Sequence, residues 1–102
     1  MENRFQVQHG KDTEAEQWAR EVTEHSRTNY PEMDAIEAVR PMTGITGTVY
    51  LYTDLEDLGA FERLNQSLRP GGKWHEWSQT THKRLLDIAI EGSWHTTVFR
   101  SV

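Results

Sequence analysis

At 102 residues the chain is long enough for one compact domain and too short for two. Eleven Lys and Arg against sixteen Asp and Glu give a formal charge of −5 at pH 7 with no basic cluster to neutralise phosphates, which argues against nucleic acid and anionic membranes as partners. The absence of cysteine excludes a disulfide framework, a thiol nucleophile and a thiolate metal site.

The first run, Arg4 to His9, alternates, with Phe5, Val7 and His9 on one side and Arg4, Gln6 and Gln8 on the other, which predicts a strand. Gly10-Lys11-Asp12 breaks it. Thr13-Glu14-Ala15-Glu16 then has the form of a capping box and opens a helix whose apolar stripe is Ala15, Trp18, Ala19 and Val22. This helix fades by Asn29, and Pro31 marks its stop. Met33 to Val39 reads as a second strand, with Ala35 and Ile36 apolar. The stretch from Pro41 through Gly44 to Gly47 reads as a hairpin connection longer than a two-residue turn.

Thr48-Val49-Tyr50-Leu51-Tyr52-Thr53 favours a pleated surface at every position and is expected to bury both faces, Val49 and Leu51 on one, Tyr50 and Tyr52 on the other. A second capping box, Thr53-Asp54-Leu55-Glu56, leads into a helical stripe of Leu58, Phe61, Leu64 and Leu68 that Arg69-Pro70-Gly71-Gly72 ends. A further helical stretch carries Trp74, Trp77, Leu85 and Ile88, with Glu91-Gly92 closing it. The last run, Trp94 to Val102, alternates again.

The order is therefore β α β β α(α) β over a single domain, residues 1–102. It fits an α+β fold of the ferredoxin-like βαββαβ kind, a four-stranded antiparallel sheet with helices on one face. The other sheet face must meet water or a second sheet. Only 35% of the residues are hydrophobic and the mean hydropathy is −0.78, so a core shared between two copies through that face is expected. No signal-peptide-like apolar stretch opens the chain and nowhere do 18 apolar residues run together, which reads as a cytoplasmic protein with no membrane partner.

The segments RPMTGITGTVYLYTDLEDLGAFERL, KWHEW and GSWHTTVFRSV resemble the dimeric α+β-barrel superfamily, in particular small NIPSNAP-like and, more distantly, antibiotic-biosynthesis-monooxygenase-like domains. The matching positions run from Pro41, Gly44, Gly47 and Tyr50 through Leu55, Leu58 and Phe61 to Trp74, Trp77, Phe99 and Arg100. The resemblance implies a homodimer with a ligand cleft between the sheet and helices of each protomer. The activities it implies span cofactor-independent oxygenases such as monooxygenases, polyketide cyclases and haem-handling enzymes, alongside members with no known activity.

Against that background, His9, His95 and Tyr50 are the candidate catalytic residues, because histidine changes charge near neutral pH and a tyrosine hydroxyl can serve beside it as acid or hydrogen-bond partner. His9 on the first strand and His95 on the last approach one cleft if those strands are neighbours. Tyr52, Trp74, Trp77 and Phe61 are the candidate ligand-binding residues, expected to wall a pocket for an apolar or aromatic metabolite. Packing is the commoner role for the tyrosines and for Trp74 and Trp77. His75 and His82 share a helix face but read as solvated surface, and His75-Glu76 lacks the second histidine of a zinc helix. No metal is expected and no cofactor is required, haem being the one the resemblance adds. Two readings stay open: a cofactor-independent monooxygenase, cyclase or isomerase, and a non-catalytic dimerisation or ligand-sensing module.

Overall fold

A computed structural model describes residues 1–30, 33–41 and 47–99, with only the backbone of residues 33–36. Pro31, the hairpin positions 42–46, the Ala35 and Ile36 side chains and the terminal positions 100–102 lie outside the described residues. Among the described residues the elements are β1 (Glu2–Gln6), α1 (Asp12–Asn29), β2 (Met33–Val39), β3 (Thr48–Leu55), α2 (Leu58–Leu68), α3 (His75–Ile88) and β4 (His95–Thr97). The strands form one antiparallel sheet in the order β2-β3-β1-β4, compatible with a ferredoxin-like arrangement.

Pleating sorts the two sheet faces. Phe5 and Val49, opposite each other in register, are wholly buried, as is Leu51 opposite Asn3. Trp18 on α1 and Leu85 and Ile88 on α3 close over them, so the helices cover that face and the core lies between the two layers. Phe5 meets the Trp18 ring edge-on at 5.4 Å, and the Trp18 indole N–H donates to the Thr81 carbonyl at 3.0 Å, which ties α1 to α3. Arg84 of α3 and Glu21 of α1 add an ion pair at the surface, and that guanidinium holds the Glu21 carboxyl below its ordinary 4.5. On the opposite sheet face Tyr50 is half-buried, and Tyr52, at 41% exposure, stacks on it at 5.9 Å. In the single chain, β3 therefore buries one face, not two.

Both predicted capping boxes are corrected. α1 begins directly after the turn that Gly10 makes at φ 80°, with Lys11 as the capping residue and no side-chain cap. Thr13 falls inside the helix, and Glu16 instead faces the Arg40 guanidinium, 3.5 Å away, which also takes Asp12 at 2.8 Å. Likewise Thr53 is buried within β3, because pairing with β2 continues to Leu55. The cap of α2 is Asp57, whose extended backbone lets its carboxylate accept from the Ala60 N–H at 2.8 Å. The α2 stripe also shifts. Ala60 is fully buried, whereas Leu58 is 69% exposed.

The first strand is shorter than the alternation implies. After Gln6, Val7 keeps a bridge to Ala89 among the described residues, and its N–H donates to the Gly47 carbonyl at 2.8 Å. The chain then turns, so His9 sits exposed in that turn and not on a strand end. At the far edge of the described sheet, β4 is described only over His95–Thr97, all exposed.

Candidate functional site

Between the sheet and the helices lies a partly open cavity of about 360 Å³. Its floor is the covered sheet face at Asn3, Leu51 and Thr53. α1 contributes Trp18, Val22 and Ser26, and Tyr30 follows at the helix end. α2 supplies Leu64 and Leu68, α3 supplies Trp77, Ser78, Thr81, His82 and Leu85, and Trp94 closes one end. The space exists because α2 packs less closely on the sheet than α1 does: of its residues only Ala60 is buried. A wall of this kind is mostly apolar with a few polar atoms, the usual make-up of a small-molecule site.

Several of those polar atoms are already engaged. Ser26 Oγ donates to the Val22 carbonyl at 2.8 Å, and the Trp18 N–H is held by Thr81. The Trp94 N–H donates to Thr96 Oγ1 at 3.1 Å, and Thr96 in turn donates to Asn3 Oδ1 at 2.5 Å. This relay orients the Trp94 ring over Phe5, stacked at 5.9 Å. Tyr30 differs. It is 6% exposed, its hydroxyl has no partner among the described residues, and burial pushes its pKa up to about 12.

Behind the wall sits an aromatic cluster. The His25 ring stacks on Trp77 at 3.7 Å and meets Trp74 and Tyr30 edge-on at 4.9 and 5.4 Å. Lys73 Nζ stands over the Trp74 ring at 5.1 Å. Burial holds the His25 pKa below its ordinary value.

The sequence-predicted residues separate into three places. Trp77 lines the cavity. Trp74 stands one layer behind it in the His25 cluster, and Phe61 is half-buried on α2 away from the cavity wall. Tyr50 and His95 do come together, but on the uncovered sheet face, either side of Arg4, with which both pair in register. There they line a second hollow of about 410 Å³ with Arg4, Thr48 and Glu91. Tyr52 is beside Tyr50 on the same face. Its hydroxyl pKa is raised, by burial first and by the Glu2 carboxylate second.

His9 joins neither site. His95 stands beside Arg4 in the middle of β1, whereas His9 lies past the C-terminal end of that strand, in the turn before α1, and lines neither hollow. The expected meeting of His9 and His95 in one cleft is therefore corrected. What sequence reasoning missed is Tyr30, His82 and Trp94. His82 was legible as a neighbour of Leu85 three residues on, and Trp94 as the start of the last strand. Nothing local marks Tyr30, whose place depends on how α2 and α3 fold back over the end of α1.

Among the described residues no group of His, Asp and Glu gathers in a way that would hold a metal ion. Haem does not suit the cavity either. A space of ~150 Å³ takes one benzene ring, so this one has room for about two rings, well short of a porphyrin. Among the described residues no helix is long and apolar enough to cross a membrane. No family model matches the chain, and no curated protein or solved structure matches it.

Proposed function

We propose that this chain binds a small, largely apolar or aromatic organic molecule of about two rings in the cavity between its sheet and helices, as a homodimer of dimeric α+β-barrel type. The observation that carries the reading is the cavity itself: about 360 Å³ walled by Trp18, Trp77 and Trp94 and by Leu51, Leu64 and Leu85. Pockets for small ligands start near ~300 Å³ and are lined in this way. The homodimer is supported by the uncovered sheet face, where Tyr50 and Tyr52 stand stacked and accessible. Sheet-on-sheet contact through those rings would supply the core that the lean composition lacks.

The reading is of a binding protein. Cofactor-independent oxidation, cyclisation or isomerisation is its catalytic extension, and the acid–base groups on hand for it at this cavity are Tyr30 and His82. Three of the four tryptophans line the cavity, so their emission reports occupancy. Titration with tetralin, a two-ring hydrocarbon, should change that emission saturably. Ser78→Phe, which fills the cavity from α3, should abolish the change without lowering the melting temperature by more than a few degrees. A wild-type protein whose emission responds only linearly, or a Ser78→Phe variant that still saturates, overturns the reading.

A further inference from the structure

Two buried hydrogen-bonding atoms in the aromatic cluster at the cavity lack a partner among the described residues: the Tyr30 hydroxyl and His25 Nε2. Both are donors. The Asn29 side-chain nitrogen donates to the His25 backbone carbonyl at 2.9 Å, which fixes the orientation of that amide. The same nitrogen lies 3.3 Å from His25 Nδ1, so Nδ1 is the acceptor in the neutral ring and the proton sits on Nε2. Burial keeps the imidazole neutral and the phenol protonated.

A buried donor without an acceptor costs stability, and here two occur on rings 5.4 Å apart in edge contact. Tyr30 is itself part of the cavity wall, and His25 lies flat on Trp77, another wall residue. Three other donors of this wall, the Trp18 and Trp94 indole N–H groups and the Ser26 hydroxyl, already have acceptors within the chain.

We infer that Tyr30, with His25 beside it, is the polar anchor of the cavity, and that the ligand carries a carbonyl oxygen on its apolar frame, as an aromatic ketone or quinone does. Two neutral donors suit a neutral carbonyl. A carboxylate would need a positive partner on being buried. The Tyr30 hydroxyl is buried on a side chain of the wall itself, so the oxygen reaches it through a change of the Tyr30 χ1 rotamer, a side-chain adjustment of the kind binding commonly brings. The inference rests on the cavity being a binding site.

The test compares 1-tetralone with tetralin, the same two rings with and without the carbonyl, by tryptophan emission on wild type, Tyr30→Phe and His25→Phe. Both replacements keep an aromatic ring in the cluster, and melting curves establish that each variant is folded. Tyr30→Phe should weaken tetralone about five- to tenfold, the worth of one neutral hydrogen bond, and leave tetralin within twofold. His25→Phe should do the same to a smaller extent. Tetralone binding that Tyr30→Phe leaves unchanged, or a loss shared equally by both compounds, overturns the anchor while the cavity reading stands. If wild type binds neither compound, both fall together.

Discussion

The His25 imidazole lies on the Trp77 indole with ring centroids 3.7 Å apart and planes 9° from parallel. A neutral ring is at home there, but an imidazolium must give up water to stay. The titratable groups around it are Arg20, Glu21 and Glu24 at its own outer hollow on α1, Lys73 over Trp74, and the neutral phenol of Tyr30. Burial prevails over these and lowers the His25 pKa.

A pH dependence of stability follows. The folded chain binds this proton less readily than the unfolded chain, so the contribution is whole above the ordinary value of about 6.5 and is lost as pH falls through the lower folded value. Melting temperatures measured between pH 7.5 and 5 should decline in wild type and decline clearly less in His25→Phe. The acidic arm of the curve is separate, since Glu21, held down by Arg84, loses its share only below its ordinary 4.5. Parallel curves for the two proteins would rule the buried imidazole out as the source.

Gly72 is a second place where little change is tolerated. In the turn between α2 and α3 it stands so close to the Gln66 and Ser67 backbone carbonyls that an added Cβ would collide with both. Ser67 O is also the acceptor for the Trp74 N–H at 2.8 Å, the bond that sets the start of α3. Backbone cannot swing aside as a long side chain can, so Gly72→Ala should cost about 2–4 kcal/mol in urea unfolding. Gly47→Ala, where no described residue lies within 4 Å, should change stability by less than about 0.5 kcal/mol. Equal effects of the two replacements would contradict the close approach.

The homodimer is open to a substitution that spares the single chain. Tyr52 is opposite Glu2 on one side and Glu37 on the other. Tyr52→Lys therefore gains opposite-charge neighbours across the sheet, yet places an ammonium where a facing sheet would bury it at a cost of several kcal/mol. Light scattering should give twice the chain mass of 11.9 kDa for wild type and the single mass for Tyr52→Lys. Two identical masses would remove this face as the interface.

How far the sequence carried depended on the range of the determinants. β2 over Met33–Val39 and the stripe of α1 follow from local alternation and helical spacing, and the structure has both. Capping was misread twice because a hydroxyl three residues before a carboxylate is a frequent pattern. Arg40, far along the chain, claims Glu16, and the β2 ladder claims Thr53. The cavity was legible only as a layer between sheet and helices. Its membership rests on contacts such as Trp18 to Thr81 and on the return of Trp94 over Phe5, which no window of neighbouring residues contains.

Phe5 is where those long-range contacts meet, wholly buried between Trp18 edge-on at 5.4 Å and Trp94 stacked at 5.9 Å. Removing its ring would leave a void beneath both indoles, and the opposing Val49 on β3 is too short to fill it. Phe5→Ala should cost about 3–5 kcal/mol, a large share of the ~5–15 kcal/mol that holds a domain of this size together. Trp94 is 40% exposed and presses on Phe5 from one side only, so Trp94→Ala should cost less, about 1–2 kcal/mol. Its other effect should be on the cavity that it closes at one end. Tetralin affinity should therefore fall in Trp94→Ala well beyond what its stability change accounts for, and calorimetric titration of the folded variant separates the two. An affinity equal to wild type would mean that the ligand sits deeper, against Trp18 and Trp77 alone.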